Sequence, residues 1–286
     1  MQIVNKVSEM QSIADSLRME GKKITCVPTM GFFHDGHVSL MKKALELGDI
    51  LVTYLFVNPT QFAPNEDFSK YPRDLKLDTK IAEQAGVHYL FCPEVEDMYP
   101  GGFNSSVHLS GITDKFEGKL RPTHYIGVST VVAKLFNAIK PHVAIFGQKD
   151  YQQTLVIKQM TKELLFDIKI VVAPTLREPD GLAMSSRNIY LNPEERKSAI
   201  ILYSALHDAT QAIVSGERKR KIINGVMHNT LRKLNSIKID YASAADSDDL
   251  DEPDEFKPGQ KVVLLMAVYL GRTRLIDNVL VTIPGK

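Results

Sequence analysis

The first 175 residues alternate short apolar segments with amphipathic ones, and this alternation constrains the fold more than any other feature of the sequence. Residues 50–57 are largely apolar, which is typical of an inner strand of a parallel sheet that is covered on both faces. Repeated strand–helix–strand units form such sheets, so we predict an α/β domain. A capping box at Ser8 and Gln11 is expected to open the first helix. The predicted strands span 24–28, 50–57, 88–91, 142–146 and 168–173, and the predicted helices span 8–20, 38–47, 75–85, 127–139 and 151–165.

The pattern changes after Pro174, which indicates a second, smaller domain. A loop with a Pro-Asp-Gly turn covers 174–192. Asn192 then has the features of a helix N-cap, with Pro193 as the first helical residue and Glu195 as the capping-box partner. We therefore expect an α+β domain whose boundary lies near 175–190. Its second helix is predicted at 217–235, and its β segments are predicted at 238–243, 261–269 and 274–282.

Charge and cysteine content disfavour several classes of function. The chain has 35 Lys and Arg residues against 34 Asp and Glu residues, and its net charge of +1 argues against a nucleic-acid or membrane surface, since both need a basic excess. Cys26 and Cys92 form no CxxC pair, which predicts no metal framework and a reducing compartment. The polar N-terminus lacks the apolar core of a signal peptide, and the longest apolar runs fall short of the ~18–20 residues that span a bilayer. We expect a soluble cytoplasmic protein.

The first candidate site follows the predicted strand 24–28, where a glycine-containing turn leads into a helix. Open α/β sheets bind ligands at the carboxyl ends of their strands, and the free N–H groups of a helix N-terminus suit phosphate. Gly31 and Gly36 let the backbone approach a ligand, while His34 and His37 share a face of the first helical turn and can donate to phosphate oxygens. His37 and Val38 replace the Lys and Ser or Thr of a P-loop, so that motif is excluded. The alternative is a tight turn with one hydrogen-bonded histidine.

Three further segments carry polar residues. Lys149 follows the strand 142–146 and is placed to meet a phosphate, whereas Gln153 has capping-box spacing from Asp150 and could only cap its helix. Gln61 follows the strand 50–57 through an Asn-Pro turn, and the alternative is a surface amide. The two hydroxyls and the guanidinium of residues 184–187 can form hydrogen bonds to a polyphosphate. The alternative is that this segment is a solvated surface loop. Three of the four candidate sites are strand ends that a parallel sheet would bring to one edge.

Taken together, the stretches 28–40, 56–62, 147–153 and 177–191 closely resemble the pantothenate synthetase (pantoate–β-alanine ligase) family, and the resemblance runs from about residue 3 to Asn278. The resemblance implies a Rossmann-like parallel sheet of the nucleotidyltransferase and class I synthetase type. It implies an ATP- and pantoate-binding domain at 1–175, a smaller C-terminal lid domain at 176–286, and a homodimer. His34-x-Gly36-His37 would correspond to the HIGH motif of class I synthetases, and residues 184–187 to their mobile KMSKS-like loop.

The implied reaction joins pantoate to β-alanine through a pantoyl adenylate, with ATP and Mg²⁺, and releases AMP and pyrophosphate. His37 is implied as the acid that assists pyrophosphate departure, and His34 and Lys149 are implied as catalytic partners. Gln61 would bind pantoate and then β-alanine, Gln153 would bind pantoate, and Asp78 is a weaker candidate near Mg²⁺. Phe32 and Phe33 stand where the family more often has a small residue and Leu. The implied ATP-binding residues are Met30, Gly31, Phe32, Phe33, His34, Asp35, Gly36, His37, Gly147, Gln148, Lys149, Asp150, Leu176, Met184, Ser185, Ser186 and Arg187.

Two other functions remain open from the sequence. A nucleotidyltransferase of the same superfamily would transfer the nucleotide to a phosphate substrate and would need no amine. A noncatalytic RNA-binding relative of a synthetase is disfavoured by the net charge of +1 and by the lack of a basic–aromatic stripe.

Overall fold

A six-stranded parallel sheet forms the first of two compact units in the computed structural model, which describes residues 1–64 and 66–285. The strands lie in the order β1-β4-β3-β2-β5-β6, and every described pair is parallel. Those strands are β1 (Gln2–Val4), β2 (Ile24–Thr29), β3 (Ile50–Leu55), β4 (Tyr89–Phe91), β5 (Val143–Gly147) and β6 (Lys169–Ala173). The helices of this unit are α1 (Val7–Met19), α2 (Asp35–Leu45), α3 (Leu75–Gln84), α4 (Val95–Met98), α5 (Phe116–Leu120), α6 (His124–Ile139) and α7 (Tyr151–Glu163).

The predicted parallel sheet is confirmed, and its core explains the apolar pattern of the strands. Met41 and Ala44 of α2 pack with Val27, Leu51 and Ile145, which come from three neighbouring strands, and all five are fully buried or nearly so. Strand β3 pairs with neighbouring strands on both edges, and the four residues between its two ends are buried. The inner strands are therefore continuous apolar segments in the sequence and do not alternate between apolar and polar residues.

The start of α1 differs from the expectation. The helix begins at Val7 with Lys6 at the N-cap position, and no side chain caps it. The expected capping box at Ser8 and Gln11 is wrong, because both residues already lie inside the helix and the Gln11 amide donates instead to the Asn137 carbonyl. The short elements β1, α4 and α5 carry too little periodicity to be predicted from the sequence.

The second unit, as far as the structure describes it, contains three α-helices and an antiparallel three-stranded sheet. Asn192 caps α8 through a complete capping box with Glu195, and Pro193 is the first helical residue, as predicted. The remaining elements follow the predicted order and their apolar faces form a separate core. They are α8 (Pro193–Ser198), α9 (Ile201–Val214), α10 (Arg220–Leu231), β7 (Ile237–Asp246), β8 (Lys261–Leu270) and β9 (Thr273–Thr282).

The division between the units lies close to Pro174. The first unit contains Met1–Gln148 and Gln152–Pro174, and the second contains Lys149–Tyr151 and Thr175–Lys286. The second unit thus includes Thr175 and a three-residue segment that the sequence pattern assigned to the first. Within the second unit, the Asn278 amide donates to the Lys149 carbonyl over 2.9 Å. Every described helix is too short or too polar to cross a lipid bilayer.

Candidate functional site

The sheet brings three of the candidate segments to one edge. Strands β3, β2 and β5 are neighbours, and Thr29 at the end of β2 pairs with Leu55 at the end of β3. The turn before α2, the Asn-Pro turn with Gln61, and Gly147 therefore leave the same carboxyl edge. A Cβ built on Gly147 would lie 3.9 Å from Leu40 of α2, so the end of β5 lies beside the helix that carries His37.

Asp78 holds the turn that connects β2 to α2. Gly31 and Phe32 both have positive φ angles, +84° and +54°, and this left-handed turn directs successive backbone N–H groups to one side. The Asp78 carboxylate accepts from the Phe32 N–H over 2.8 Å and from the Phe33 N–H over 2.6 Å. A Cβ at Gly31 would lie only 2.9 Å from Asp78 Oδ2, which explains the glycine.

Asp78 is a deeply buried acid with a defined structural partner. Its side chain is 1% exposed, and burial raises its pKa, while the N–H groups of Phe33 and Phe32 act in the opposite direction. The described residues contain no group of three or more His, Cys, Asp or Glu side chains suited to a metal ion. Mg²⁺ in nucleotide sites is usually held by one or two carboxylates together with the substrate phosphates. The predicted magnesium role of Asp78 stays a prediction, and its observed partners are backbone amides.

His34 and His37 lie where the sequence places them, at the start of α2. His34 is the N-cap residue, and its Nδ1 accepts from the Gly36 N–H over 3.1 Å. His37 Nδ1 accepts from the His34 N–H over 3.3 Å, and the two ring centroids are 4.1 Å apart. Because both Nδ1 atoms accept, each neutral ring carries its proton on Nε2. Both histidines can therefore present an Nε2–H donor to an anion, and Phe33 packs beside them at 5.5 Å from the His37 ring.

Gln61 and Met30, which the sequence placed in different candidate segments, are in contact. Gln61 Nε2 donates to Met30 Sδ over 3.2 Å, and Gln61 Oε1 accepts from Asn58 Nδ2 over 3.2 Å. Asn58 is 1% exposed and also donates to the Gly127 carbonyl. In the sequence, Asn58 is recognisable only as part of an Asn-Pro turn. Its role as an anchor follows from contacts with residues far away in the chain.

A charged cluster holds the backbone of Gln61. Arg121 forms a bidentate ion pair with Glu66, and one of the two bonds is 2.7 Å long. Burial alone would raise the pKa of Glu66, but the hydrogen bond and the charge of Arg121 hold this pKa below its usual value. His124 Nδ1 lies 2.9 Å from the Gln61 carbonyl oxygen, and burial together with Arg121 lowers the pKa of His124 to about 4. His124 is therefore neutral near pH 7 and can donate to that carbonyl.

The predicted ligand-binding residues after β5 divide between the units. Lys149 lies in a single 3₁₀ turn (Gln148–Asp150), is half-buried, and belongs to the second unit. Gln153 is half-buried in the first turn of α7, within the first unit. The preceding residue, Gln152, is 3% exposed and bonds the backbone of residues 112, 115 and 117, which gives it a structural role.

In the second unit, Leu176 and Met184 are joined directly. The Met184 N–H donates to the Leu176 carbonyl over 3.0 Å, and an isolated bridge between Arg177 and Ala183 extends this short hairpin. Ser185 caps a 3₁₀ helix (Ser186–Tyr190), where its hydroxyl accepts from the Arg187 N–H. Ser186 is buried, and Met184, Ser185 and Arg187 are half-buried.

Arg177 fixes the hairpin that leads to this segment. Its guanidinium forms a bidentate ion pair with Asp277, at 2.6 and 2.9 Å, and also donates to the Gly181 carbonyl. The guanidinium lies 4.4 Å from the centroid of the Tyr203 ring, and a Cβ at Gly181 would lie 2.3 Å from that ring. The predicted Pro-Asp-Gly turn is thus tied to the second unit by a buried charge pair and by close packing.

The chain is similar to one family of known proteins over almost its whole length. The family model described as pantoate-beta-alanine ligase matches residues 2–280. The chain is 47% identical over 283 residues to the pantothenate synthetase of Acetivibrio thermocellus, and the match covers 99% of this chain and 100% of that protein. A crystal structure of pantothenate synthetase from Thermus thermophilus superimposes with a TM-score of 0.92 at 38% identity and covers both chains completely. The ligase of Francisella tularensis in complex with β,γ-ATP and β-alanine has a TM-score of 0.79 at 35% identity, over 98% of this chain and 97% of that chain.

Proposed function

Because the chain belongs to the pantoate–β-alanine ligase family and is thus a carbon–nitrogen ligase, we propose that it condenses pantoate with β-alanine to form pantothenate through a pantoyl adenylate. The observation that carries the proposal is the contact between Gln61 and Met30 at the edge where the His34–His37 pair begins α2. This edge combines the Nε2–H donors of two histidines with the Gln61 amide, a set that suits a triphosphate beside a carboxylate.

The proposed chemistry has two steps. A pantoate carboxylate oxygen attacks the α-phosphorus of ATP, the bond from that phosphorus to the bridging oxygen breaks, and pyrophosphate leaves. The β-alanine amine then attacks the acyl carbon, the bond from this carbon to the oxygen that joins it to phosphorus breaks, AMP departs with that former carboxylate oxygen, and the amine loses a proton. Both steps need positioning and charge neutralisation more than a covalent protein nucleophile.

The proposed roles follow the chemistry of each side chain. His34 and His37 donate from Nε2 to the phosphate oxygens on which charge builds up as pyrophosphate leaves. Gln61 and Gln153 hold pantoate or β-alanine by their amides. Lys149 neutralises phosphate charge. Residues 184–187 contact the triphosphate, and the C-terminal domain acts as a lid. Mg²⁺ enters as part of the MgATP substrate.

One labelling experiment tests the reaction as a whole. The protein is incubated with MgATP, β-alanine and pantoate that carries ¹⁸O in its carboxylate, and the products are analysed by mass spectrometry. We expect AMP and pyrophosphate, with one ¹⁸O atom in AMP, and we expect pantoate-dependent exchange of pyrophosphate into ATP without β-alanine. Formation of ADP and phosphate, or AMP without ¹⁸O, would contradict the acyl-adenylate route.

Two broader properties implied by the family belong to the same proposal. We propose a homodimer located in the cytoplasm, without nucleic-acid or membrane partners. Analytical ultracentrifugation tests the first property, since a dimer should sediment as about twice the chain mass of 32.0 kDa.

A further inference from the structure

A chain of hydrogen bonds runs from Tyr99, after the short helix α4, to Gln61. The Tyr99 hydroxyl donates to Asn58 Oδ1 over 2.8 Å, and Asn58 Nδ2 donates to Gln61 Oε1 over 3.2 Å. The Thr60 hydroxyl also donates to Asn58 Oδ1 over 3.0 Å and lies 3.2 Å from the Tyr99 hydroxyl. The residues at the two ends of this chain are 38 positions apart in the sequence, so only the fold connects them.

Backbone groups determine which way each amide faces. The Gly127 carbonyl can only accept, so the Asn58 atom that faces it must be the nitrogen Nδ2. The Thr60 N–H can only donate, so the Asn58 atom that faces it must be Oδ1. Because Nδ2 can only donate, the Gln61 atom beside it must be Oε1. The nitrogen of the Gln61 amide therefore faces Met30 and the turn before α2.

We propose that Tyr99 and Asn58 are positioning residues that fix the Gln61 amide with its N–H donors toward the substrate, and thereby select a carboxylate over a neutral group. This inference rests on the proposed function, in which Gln61 binds pantoate. A Gln61 amide in the opposite orientation would present its carbonyl oxygen and repel a carboxylate. Because this side chain is already ordered, substrate binding loses less conformational entropy.

The ring of Tyr99 is held independently of its hydroxyl. It packs on Phe103 with ring centroids 5.2 Å apart and on Phe56 at 6.4 Å, and the Lys134 ammonium lies 5.7 Å from its centroid. Removal of the hydroxyl alone should leave this packing intact. Burial also raises the pKa of Tyr99, so the hydroxyl keeps its proton near pH 7 and can donate.

Tyr54 offers a matched control for Tyr99. Its hydroxyl is buried and has no hydrogen-bond partner in the part of the chain that the structure describes. Its ring packs on Phe56, as the ring of Tyr99 does, with a centroid distance of 5.7 Å. Tyr54→Phe thus removes the same atom from the same aromatic cluster without touching the Asn58–Gln61 chain.

The experiment compares Tyr99→Phe with Tyr54→Phe in the wild-type and Gln61→Ala backgrounds. The assay is pantoate-dependent pyrophosphate–ATP exchange, with pantoamide as a neutral competitor and calorimetric titration of pantoate as a measurement of binding. Loss of one neutral hydrogen bond typically costs a few-fold to tenfold in an equilibrium constant. We expect Tyr99→Phe to raise KM for pantoate about three- to tenfold and to weaken the preference for pantoate over pantoamide by a similar factor. KM for ATP should change less than about twofold.

The background variant separates positioning from a general structural effect. In Gln61→Ala, the further change Tyr99→Phe should alter pantoate binding by less than about twofold, because Tyr99 acts through Gln61. Equal losses in both backgrounds, or a Tyr99→Phe enzyme that matches Tyr54→Phe in pantoate affinity and selectivity, would overturn the positioning role alone. A wild-type protein that neither binds pantoate nor catalyses the exchange would overturn the proposed function, and the positioning role with it.

Discussion

Removal of the Asp78 carboxylate should destabilise the turn between β2 and α2. Asp78→Ala leaves the N–H groups of Phe32 and Phe33 without their acceptor, and each orphaned buried amide costs about 1–3 kcal/mol. The variant also removes a buried charge whose desolvation raises the pKa of Asp78, and this relief offsets part of the loss. We therefore expect a net loss of about 2–4 kcal/mol, or about 4–16 °C in Tm, for a unit of this size.

Asp78→Asn should cost less than Asp78→Ala. The amide oxygen can still accept from one N–H, whereas its NH₂ group faces the other, so about 1–3 kcal/mol is lost. Asp74→Ala is the matched control, because Asp74 caps the same helix through a single bond to the Leu77 N–H and is exposed. The loss of that cap should cost about 0.5–2 kcal/mol without any effect on the turn.

Calorimetry and amide hydrogen exchange test this prediction. The N–H groups of Phe32 and Phe33 should be protected in the wild type and should exchange faster in Asp78→Ala, but not in Asp74→Ala. A Tm for Asp78→Ala within about 2 °C of the wild type would refute the reasoning. If Asp78 instead binds Mg²⁺, Asp78→Asn should raise the Mg²⁺ concentration that gives half-maximal activity while the protection of both amides persists.

The remaining predictions concern four other side chains. The native pKa of His124, about 4, lies below its unfolded value, so the contribution of His124 to stability is present above about pH 6.5 and is lost as the pH falls toward 4. In urea unfolding between pH 4 and 6.5, His124→Gln should reduce the slope of the unfolding free energy against pH by up to about 1.4 kcal/mol per pH unit. Arg177→Ala should lower Tm more than Arg196→Ala, because it leaves a buried carboxylate unpaired at a cost of about 3–5 kcal/mol, whereas the carboxylate of the Arg196 pair is exposed. Gln153→Ala should raise KM for pantoate with little change in Tm; a lower Tm with an unchanged KM would assign Gln153 to capping its helix. Arg187→Ala should raise KM for ATP more than KM for pantoate in steady-state assays, because a guanidinium forms charge-assisted bonds to phosphate.

The sequence predicts the order of the long helices and strands because the apolar runs and capping residues that mark them lie within each element or next to it. The apolar runs of β2, β3 and β5 identify inner strands, and their adjacency then places three chemically distinct segments at one edge. Asn192 is predicted correctly as an N-cap because its two partners lie within three residues of it. The start of α1 is missed because no side chain marks it, although Ser8 and Gln11 happen to have the spacing of a capping box.

The role of Asp78 could not be predicted from local signals. In the sequence it is one acidic residue on an amphipathic helix, and its partners are two backbone N–H groups more than 40 positions earlier. These groups converge only because Gly31 and Phe32 adopt positive φ angles, and a Phe in this conformation carries no sequence signature. The structure therefore adds two amide partners that the sequence does not show, and the magnesium role of Asp78 stays a prediction.

A motif identifies the groups that can touch a ligand, but it does not determine which atoms they present. The sequence identifies Gln61 as an amide at a strand end, and it does not show whether the NH₂ group or the carbonyl oxygen faces a ligand. Its orientation follows from Asn58, whose own orientation is set by the Gly127 carbonyl and the Thr60 N–H, which cannot exchange roles. In the proposed site, these two backbone groups therefore set which atom Gln61 presents, and the Tyr99 hydroxyl holds Asn58 in the same orientation by a further bond to Oδ1.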